Sequence, residues 1–322
     1  MKTAGQMRQE AERAKEAEQY SGLSQQETFS LAQSFGVPVG TNGLVQREQA
    51  VSIDMKNYKN MGYEGKFFFG NPSQELDVIF DTGSAWAWVF SGEDCTKQCP
   101  KKNPKFFRMR SREFKQNEKG GQFFQYGKGA VLGHPAEDRG CFANGEQCFK
   151  MNFLNVIKGK DLEALQGGGL IGLAPIVSKE KELKEPLNNG IPGFIAQLKN
   201  DEEYKNKFAT QFSIYLSRNE AAGSAMSFGG YDLGKFAKAG TQEKDVQWAD
   251  IGANEAYWTI NSKASGLGSA PLSSGHQMVI LDNGMSLAFA PKKSFMALVN
   301  NLYKNHNIAC LPMPGAPVYP CK

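Results

Sequence analysis

Val78-Ile79-Phe80-Asp81-Thr82-Gly83-Ser84 is the stretch on which the reading of this chain turns. Three apolar residues lead into an acid and then a glycine turn. That pattern predicts a buried strand ending in a carboxylate. The arrangement returns at Val279-Ile280-Leu281-Asp282-Asn283-Gly284, 201 residues further on, about one domain's length. A carboxylate at the end of a buried strand costs several kcal/mol unless it is partnered. A single copy would read as an aspartate capping its own turn. Two copies a domain apart point instead to a shared site in which Asp81 and Asp282 face each other.

Such a pair has a defined chemistry. Two carboxylates held ~3 Å apart cannot both ionise, so they share a proton. The ionised member can take a proton from water while the protonated member gives one to a carbonyl oxygen. Water then adds to an amide with no covalent intermediate. Glycosidases also use two carboxylates, but at wider separation.

The surrounding sequence suits two mostly-β domains. The chain has 322 residues and 40% hydrophobic content, ample for a large core. Short β-rich runs broken by Gly, Asn and Pro begin near Val51 and include 66–69, 76–80, 86–90, 123–126, 212–216, 225–228, 257–260 and 278–281. Helices are expected over about 176–186, 192–206 and 292–305. Residues 4–20 carry a thin apolar stripe at helical spacing, and 21–50 read as an extended connector. The expected division is therefore 1–50, a first lobe over 51–210 and a second over 211–322.

Composition narrows the function. A net charge of +4 is too small to argue for a nucleic-acid partner. No apolar run reaches the length of a membrane span. The first residues, Met1-Lys2-Thr3-Ala4-Gly5-Gln6, show no apolar core of a signal peptide. The six cysteines fall as close pairs, Cys95/Cys99, Cys141/Cys148 and Cys310/Cys321. Disulfides in an oxidising compartment are the favoured reading, with zinc or free thiols as rivals, although the spacings match no common zinc pattern. No metal or cofactor is expected. Gly167-Gly168-Gly169-Leu170-Ile171-Gly172 fits G-x-G-x-x-G, but no βαβ alternation surrounds it, which argues against a dinucleotide site.

Seven landmarks in order give a specific resemblance. Tyr63-Glu64-Gly65 through Gly70-Asn71-Pro72-Ser73-Gln74 precede the first turn; Phe80-Asp81-Thr82-Gly83-Ser84 and Trp88-Val89 follow. Tyr126-Gly127-Lys128-Gly129, Gly168-Gly169-Leu170-Ile171-Gly172-Leu173-Ala174, Phe228-Gly229-Gly230-Tyr231-Asp232 and Tyr257-Trp258 complete the set. From about residue 60 to 322 the chain resembles the pepsin-like aspartic endopeptidases. The resemblance implies a bilobal acid-protease fold of two related β-barrel-like lobes with the cleft between them. It implies Asp81 and Asp282 as the catalytic pair, and Tyr126, Gly127 and Gly129 as the tip of a flap over the substrate. Thr82, Gly83, Ser84, Trp88, Asn283, Gly284 and Ser286 would support the pair, with both serines as hydrogen-bond partners of the aspartates. Cys95/Cys99 looks like the family's small disulfide loop. A monomer acting on peptide or protein substrates at acidic pH follows, in a lysosome or vacuole or outside the cell. Residues 1–50 read equally as a zymogen pro-segment, with Arg47 paired to the dyad, or as a disordered tail.

The second half departs from the pattern. Asp282-Asn283-Gly284-Met285-Ser286 stands where the family has D-[TS]-G-T-S, and Lys128 replaces a small polar flap residue. The supporting stretch Gly168–Ala174 follows Asp81 by roughly 90 residues, whereas Asp282 lies within 40 residues of Lys322. The expectation is an incomplete second lobe whose sheet exposes an edge and apolar surface. These departures motivate the alternative function: a catalytically impaired relative that binds peptides or a protein partner.

Overall fold

A computed structural model describes residues 50–95, 99–163, 165–175, 179–205, 211–220, 223–252, 256–267, 270–312 and 321. The expected helix over 4–20, Arg47 and all but the last residue of the connector lie outside them. The chain divides into two compact units, 1–46 with 232–246, and 47–231 with 247–322. Both aspartate turns belong to the second.

The strands are β1 (Val51–Tyr58), β2 (Gly62–Phe69), β3 (Gln74–Asp81), β4 (Ala87–Phe90), β5 (Lys115–Gln116), β6 (Gln122–Gln125), β7 (Ala130–Ala143), β8 (Glu146–Lys160), β9 (Gly169–Gly172), β10 (Phe212–Tyr215), β11 (Ser224–Phe228), β12 (Thr259–Leu267) and β13 (Ala270–Ile280). The helices are α1 (Glu180–Lys184), α2 (Pro186–Asn189), α3 (Phe194–Asn200), α4 (Leu233–Phe236) and α5 (Lys292–His306). The fold is mostly β, with a large mixed sheet, as a pepsin-like protein requires.

One sheet runs β10-β11-β1-β2-β3-β9-β4-β8-β7-β5, with β6 paired to β7. Strand β1 shows why it forms. Val51, Ile53 and Met55 are buried while Ser52, Asp54 and Lys56 face out, the period of a half-buried strand. Strands β11 and β10 continue this sheet beyond β1, with β11 antiparallel to β1 from Val51↔Phe228 to Met55↔Ser224. The core is aromatic: Phe67, Phe69, Phe80, Phe153, Phe194 and Phe228 are fully buried. Their rings meet mainly edge to face, as in Phe67–Phe69 at 5.2 Å and Phe69–Phe153 at 5.4 Å.

Strand β3, which carries Asp81, is enclosed. It is antiparallel to β2 on one side and parallel to β9 on the other, with Asp81 opposite Gly172. Strand β9 then braces the turn. Leu173 N–H donates to Asp81 O at 2.7 Å and Ala174 N–H to Ser84 O at 2.8 Å. A side chain at Gly172 would collide with the Ser84–Ala85 backbone, so the close approach needs glycine there.

Strand β13, which leads into Asp282, has β12 as its hydrogen-bonded partner, and α5 packs against it. Val279, Ile280 and Leu281 are 38, 46 and 51% exposed, whereas Val78 and Phe80 are at 0%. The expected exposure of apolar surface around the second turn is thus present among the described residues. Trp258 ties this hairpin to the main sheet: its indole N–H donates to Leu173 O at 2.8 Å and its ring meets Phe212 edge-on.

All six cysteines are paired as disulfides, Cys95–Cys99, Cys141–Cys148 and Cys310–Cys321, which removes zinc as their partner. Cys141 and Cys148 are direct cross-strand neighbours in the β7–β8 ribbon. In the first unit the described segment is 232–246. There α4 is capped by Asp232, whose side chain accepts from Lys235 N–H at 2.9 Å.

Candidate active site

The two aspartate turns meet. Each carboxylate accepts the backbone N–H of the glycine two residues on: Gly83 N–H to Asp81 Oδ1 at 2.8 Å, Gly284 N–H to Asp282 Oδ1 at 2.9 Å. Each glycine also lies against the opposite carboxylate. A methyl at Gly83 would overlap Asp282, and one at Gly284 would overlap Asp81. The absence of a side chain at both positions is what lets the carboxyl groups reach each other.

A second set of bonds fixes the turns in register. Thr82 N–H donates to Asn283 Oδ1 at 2.8 Å, and Asn283 N–H donates to Thr82 Oγ1 at 3.0 Å. The Thr82 hydroxyl lies 2.9 Å from both Leu281 O and Asn283 Oδ1. Asn283 Nδ2 donates to Phe80 O at 2.7 Å. Each side chain therefore reaches the carbonyl just before the opposite aspartate. A threonine uses one hydroxyl for this. Asn283 divides the task between its amide oxygen and nitrogen.

The surroundings of the two acids differ. Asp81 is 6% exposed and accepts the Ser84 hydroxyl as well as Gly83 N–H. Its pKa is raised from 3.8 to about 6: burial pushes it up most, the Ser84 and Gly83 bonds pull it part of the way back, and Asp282 adds a smaller upward push. Asp282 is less enclosed. Ser286, expected beside it, donates instead to Met61 O. The cause is the open second turn: Ser286 and Met285 face outward, and exposed Met61 offers a carbonyl.

Tyr126, Gly127, Lys128 and Gly129 turn the β6–β7 hairpin, closed by Tyr126 N–H to Gly129 O at 3.0 Å. Gln125 Nε2 clamps the same turn by donating to Tyr126 O and Gly129 O, each at 3.0 Å. Gly129 has a φ of +90° and rests on the Lys160–Asp161 backbone, so a side chain there would be strained and crowded. Gly127 has open space around it. The Tyr126 hydroxyl accepts Trp88 Nε1–H at 2.8 Å. The Ser84 hydroxyl donates to Asp81. Burial keeps the tyrosine pKa well above its usual value, so it remains a donor.

Two features were not singled out in the sequence. Trp86 stacks on Phe124 at 5.1 Å, joining the hairpin to the residue just past the first turn. The carbonyls of Phe80 and Leu281 are the acceptors of the cross-turn lock. The Trp86 signal was its place two residues before Trp88. Backbone carbonyls leave no signal in a sequence.

Paired aspartate turns on a mostly-β frame, with a tyrosine hairpin beside the first, define a two-aspartate protein of the pepsin type. The sequence model of the family "Eukaryotic aspartyl protease" matches residues 62–313, and the chain belongs to that family. It is similar to pepsin A of Canis lupus familiaris, 27% identical over 274 residues covering 82% of this chain and 65% of that protein. It is also similar to cathepsin E of Rattus norvegicus, 28% identical over 290 residues, 85% of this chain and 63% of that one. Cathepsin E-A of Xenopus laevis is 27% identical over 259 residues, 79% and 60%. The chain thus spans about 60–65% of the length of these relatives.

Proposed function

We propose that the protein hydrolyses internal peptide bonds with a water activated between Asp81 and Asp282, at acidic pH. The observation that carries this reading is the mutual approach of the carboxyl groups across Gly83 and Gly284. Below about pH 6 the pair holds one proton, and burial favours placing it on Asp81. The other carboxylate then draws a proton from water as oxygen adds to the scissile carbon. The shared proton passes to the carbonyl oxygen. The resulting diol collapses as a proton reaches the leaving nitrogen, so charge balances without a metal or a covalent intermediate.

The setting supports this chemistry. Ser84 and Gly83 orient Asp81, and Thr82 with Asn283 keeps the pair in register. Tyr126 is anchored by Trp88, which suits a hairpin that closes over bound peptide. Partly buried Ile79, Trp86, Phe124, Leu162 and Leu165 pack against the apolar cluster that contains Trp88, which suits a substrate with a bulky apolar side chain at the cut. The three disulfides support action in a lysosome, vacuole or extracellular space.

Digestion of a denatured protein at about pH 4 tests the reading. Cleavage is expected, lost in Asp81→Asn and in Asp282→Asn and blocked by a peptide mimic of the tetrahedral state. A well-folded sample that cuts nothing between about pH 3 and 7 overturns it.

A further inference from the structure

The hairpin beside the dyad carries a cation at its tip. Lys128 lies in the turn between Tyr126 and Gly129, exposed, and among the described residues no carboxylate forms an ion pair with it. Its place is fixed. The Tyr126–Gly129 bond and the Gln125 clamp hold the turn, and Trp88 holds Tyr126 against the Asp81 side. Lys128 is therefore a point charge on a flexible stem, two residues from the tyrosine that Trp88 anchors.

The neighbouring strand adds to it. Lys160 and Lys158 are exposed and sit opposite Ala130 and Leu132 across the β7–β8 ladder, with the Lys160 backbone against Gly129. Two acids follow, Asp161 and Glu163. Asp161 lies 4.0 Å from Lys160, an exposed pair that neutralises it only weakly. Partly buried Phe124, Tyr126, Leu162 and Leu165 pack on the apolar cluster that contains Trp88. A cation beside partly exposed apolar side chains favours peptides that carry both features.

We propose that Lys128, backed by Lys160, is a specificity-determining residue that favours substrates with an ionised Asp or Glu close to an apolar cleavage site. This rests on the peptide-groove reading above and names the substrate class for it. The selectivity has a pH signature. A substrate glutamate ionises near pH 4.3. The preference is present at pH 5.5, where that carboxylate is charged, and fades at pH 3.5, where it is neutral.

The test uses the full chain and synthetic peptides with one apolar cleavage pair. Glu, Gln or Lys is placed in turn at each of the three positions on either side. Both kcat/KM and the Kd of uncleavable reduced-bond versions are measured. At one position or more, Glu is expected to exceed Gln by about fivefold at pH 5.5, the size a single exposed ion pair supports. Lys128→Gln brings the ratio towards one, and Lys128→Glu turns it in favour of the Lys peptide. Equal cleavage and binding of Glu and Gln peptides at every position overturns the proposal while leaving hydrolysis standing. Glu-selective binding without any cleavage upholds it and overturns the hydrolase reading. A Glu preference unchanged in Lys128→Gln also overturns it.

Discussion

Thr82 and Asn283 exchange hydrogen bonds in both directions, Thr82 N–H to Asn283 Oδ1 at 2.8 Å and Asn283 N–H to Thr82 Oγ1 at 3.0 Å. The two residues stand one position after their aspartates, so the exchange sets the distance between the acids. Asn283→Ala removes an acceptor and the donor to Phe80 O and leaves half-buried groups unpaired. We expect kcat to fall by tenfold or more with little change in KM, and stability to fall by about 1–3 kcal/mol. Asn283→Thr supplies a hydroxyl in place of the amide and should recover most of both. Steady-state kinetics and thermal unfolding decide it. An alanine variant with wild-type kcat would remove Asn283 from the machinery.

The glycines opposite the carboxylates give the sharpest steric expectation. Gly83→Ala and Gly284→Ala each place a methyl where the facing carboxyl group sits. Activity should drop by at least about a hundredfold, since small displacements at a reacting centre have that effect. Crystal structures of the variants should show the acids moved apart. Near-normal turnover in both would mean that the carboxylates do not act together.

The pH dependence follows from burial of Asp81. Its pKa is raised from 3.8 to about 6, so the proton it holds below that range is lost as pH rises through 6. Peptidase activity should fall with an apparent pKa near 6. Ser84 stabilises the charged form, so Ser84→Ala should move this limb to higher pH. Stability takes the same sign. Because the folded state binds the proton more tightly, Asp81's contribution is full below about pH 4 and is lost by about pH 7. Asp81→Asn should therefore gain on the wild type, by on the order of 2 kcal/mol, between those two values in denaturant titrations. A pH-independent difference would mean Asp81 is solvated like a surface acid.

The two turns should answer unequally to truncation. Phe80 and Leu281 stand in equivalent places before the aspartates, yet one side chain is at 0% exposure and the other at 51%. Phe80→Ala should cost about 3–5 kcal/mol through cavity and lost transfer energy. Leu281→Ala should cost under ~1 kcal/mol. Equal losses in urea unfolding would show that Leu281 is covered in solution.

Much of the site was legible because its signals are local. Asp81, Thr82, Gly83 and Ser84 lie in one turn, and the hairpin bearing Tyr126 announces itself by its glycines. Ser286 was misread for a tertiary reason. A serine at that spacing reaches its aspartate only when neighbouring strands press the turn inward, and here it reaches Met61 O instead. The domain limits were also drawn on sequence; in the structure Ser224–Phe228 pairs with β1, and Phe212–Tyr215 with Ser224–Phe228. A strand's partner depends on long-range pairing, which composition does not record.

By itself the sequence determined the residue types of the site: two acids at strand ends, two glycines beside them and a tyrosine in a tight turn. Periodicity also fixed β-structure, since alternating burial depends on neighbours one and two places away. Only the tertiary structure decided that the acids meet, that Asn283 can replace a hydroxyl in holding them, and that Asp81 is buried while the strand of Asp282 is open. Those properties depend on atoms 201 positions apart coming within hydrogen-bond distance. Burial and cross-chain hydrogen bonds are set by which surfaces pack together, not by the order of residues along either turn.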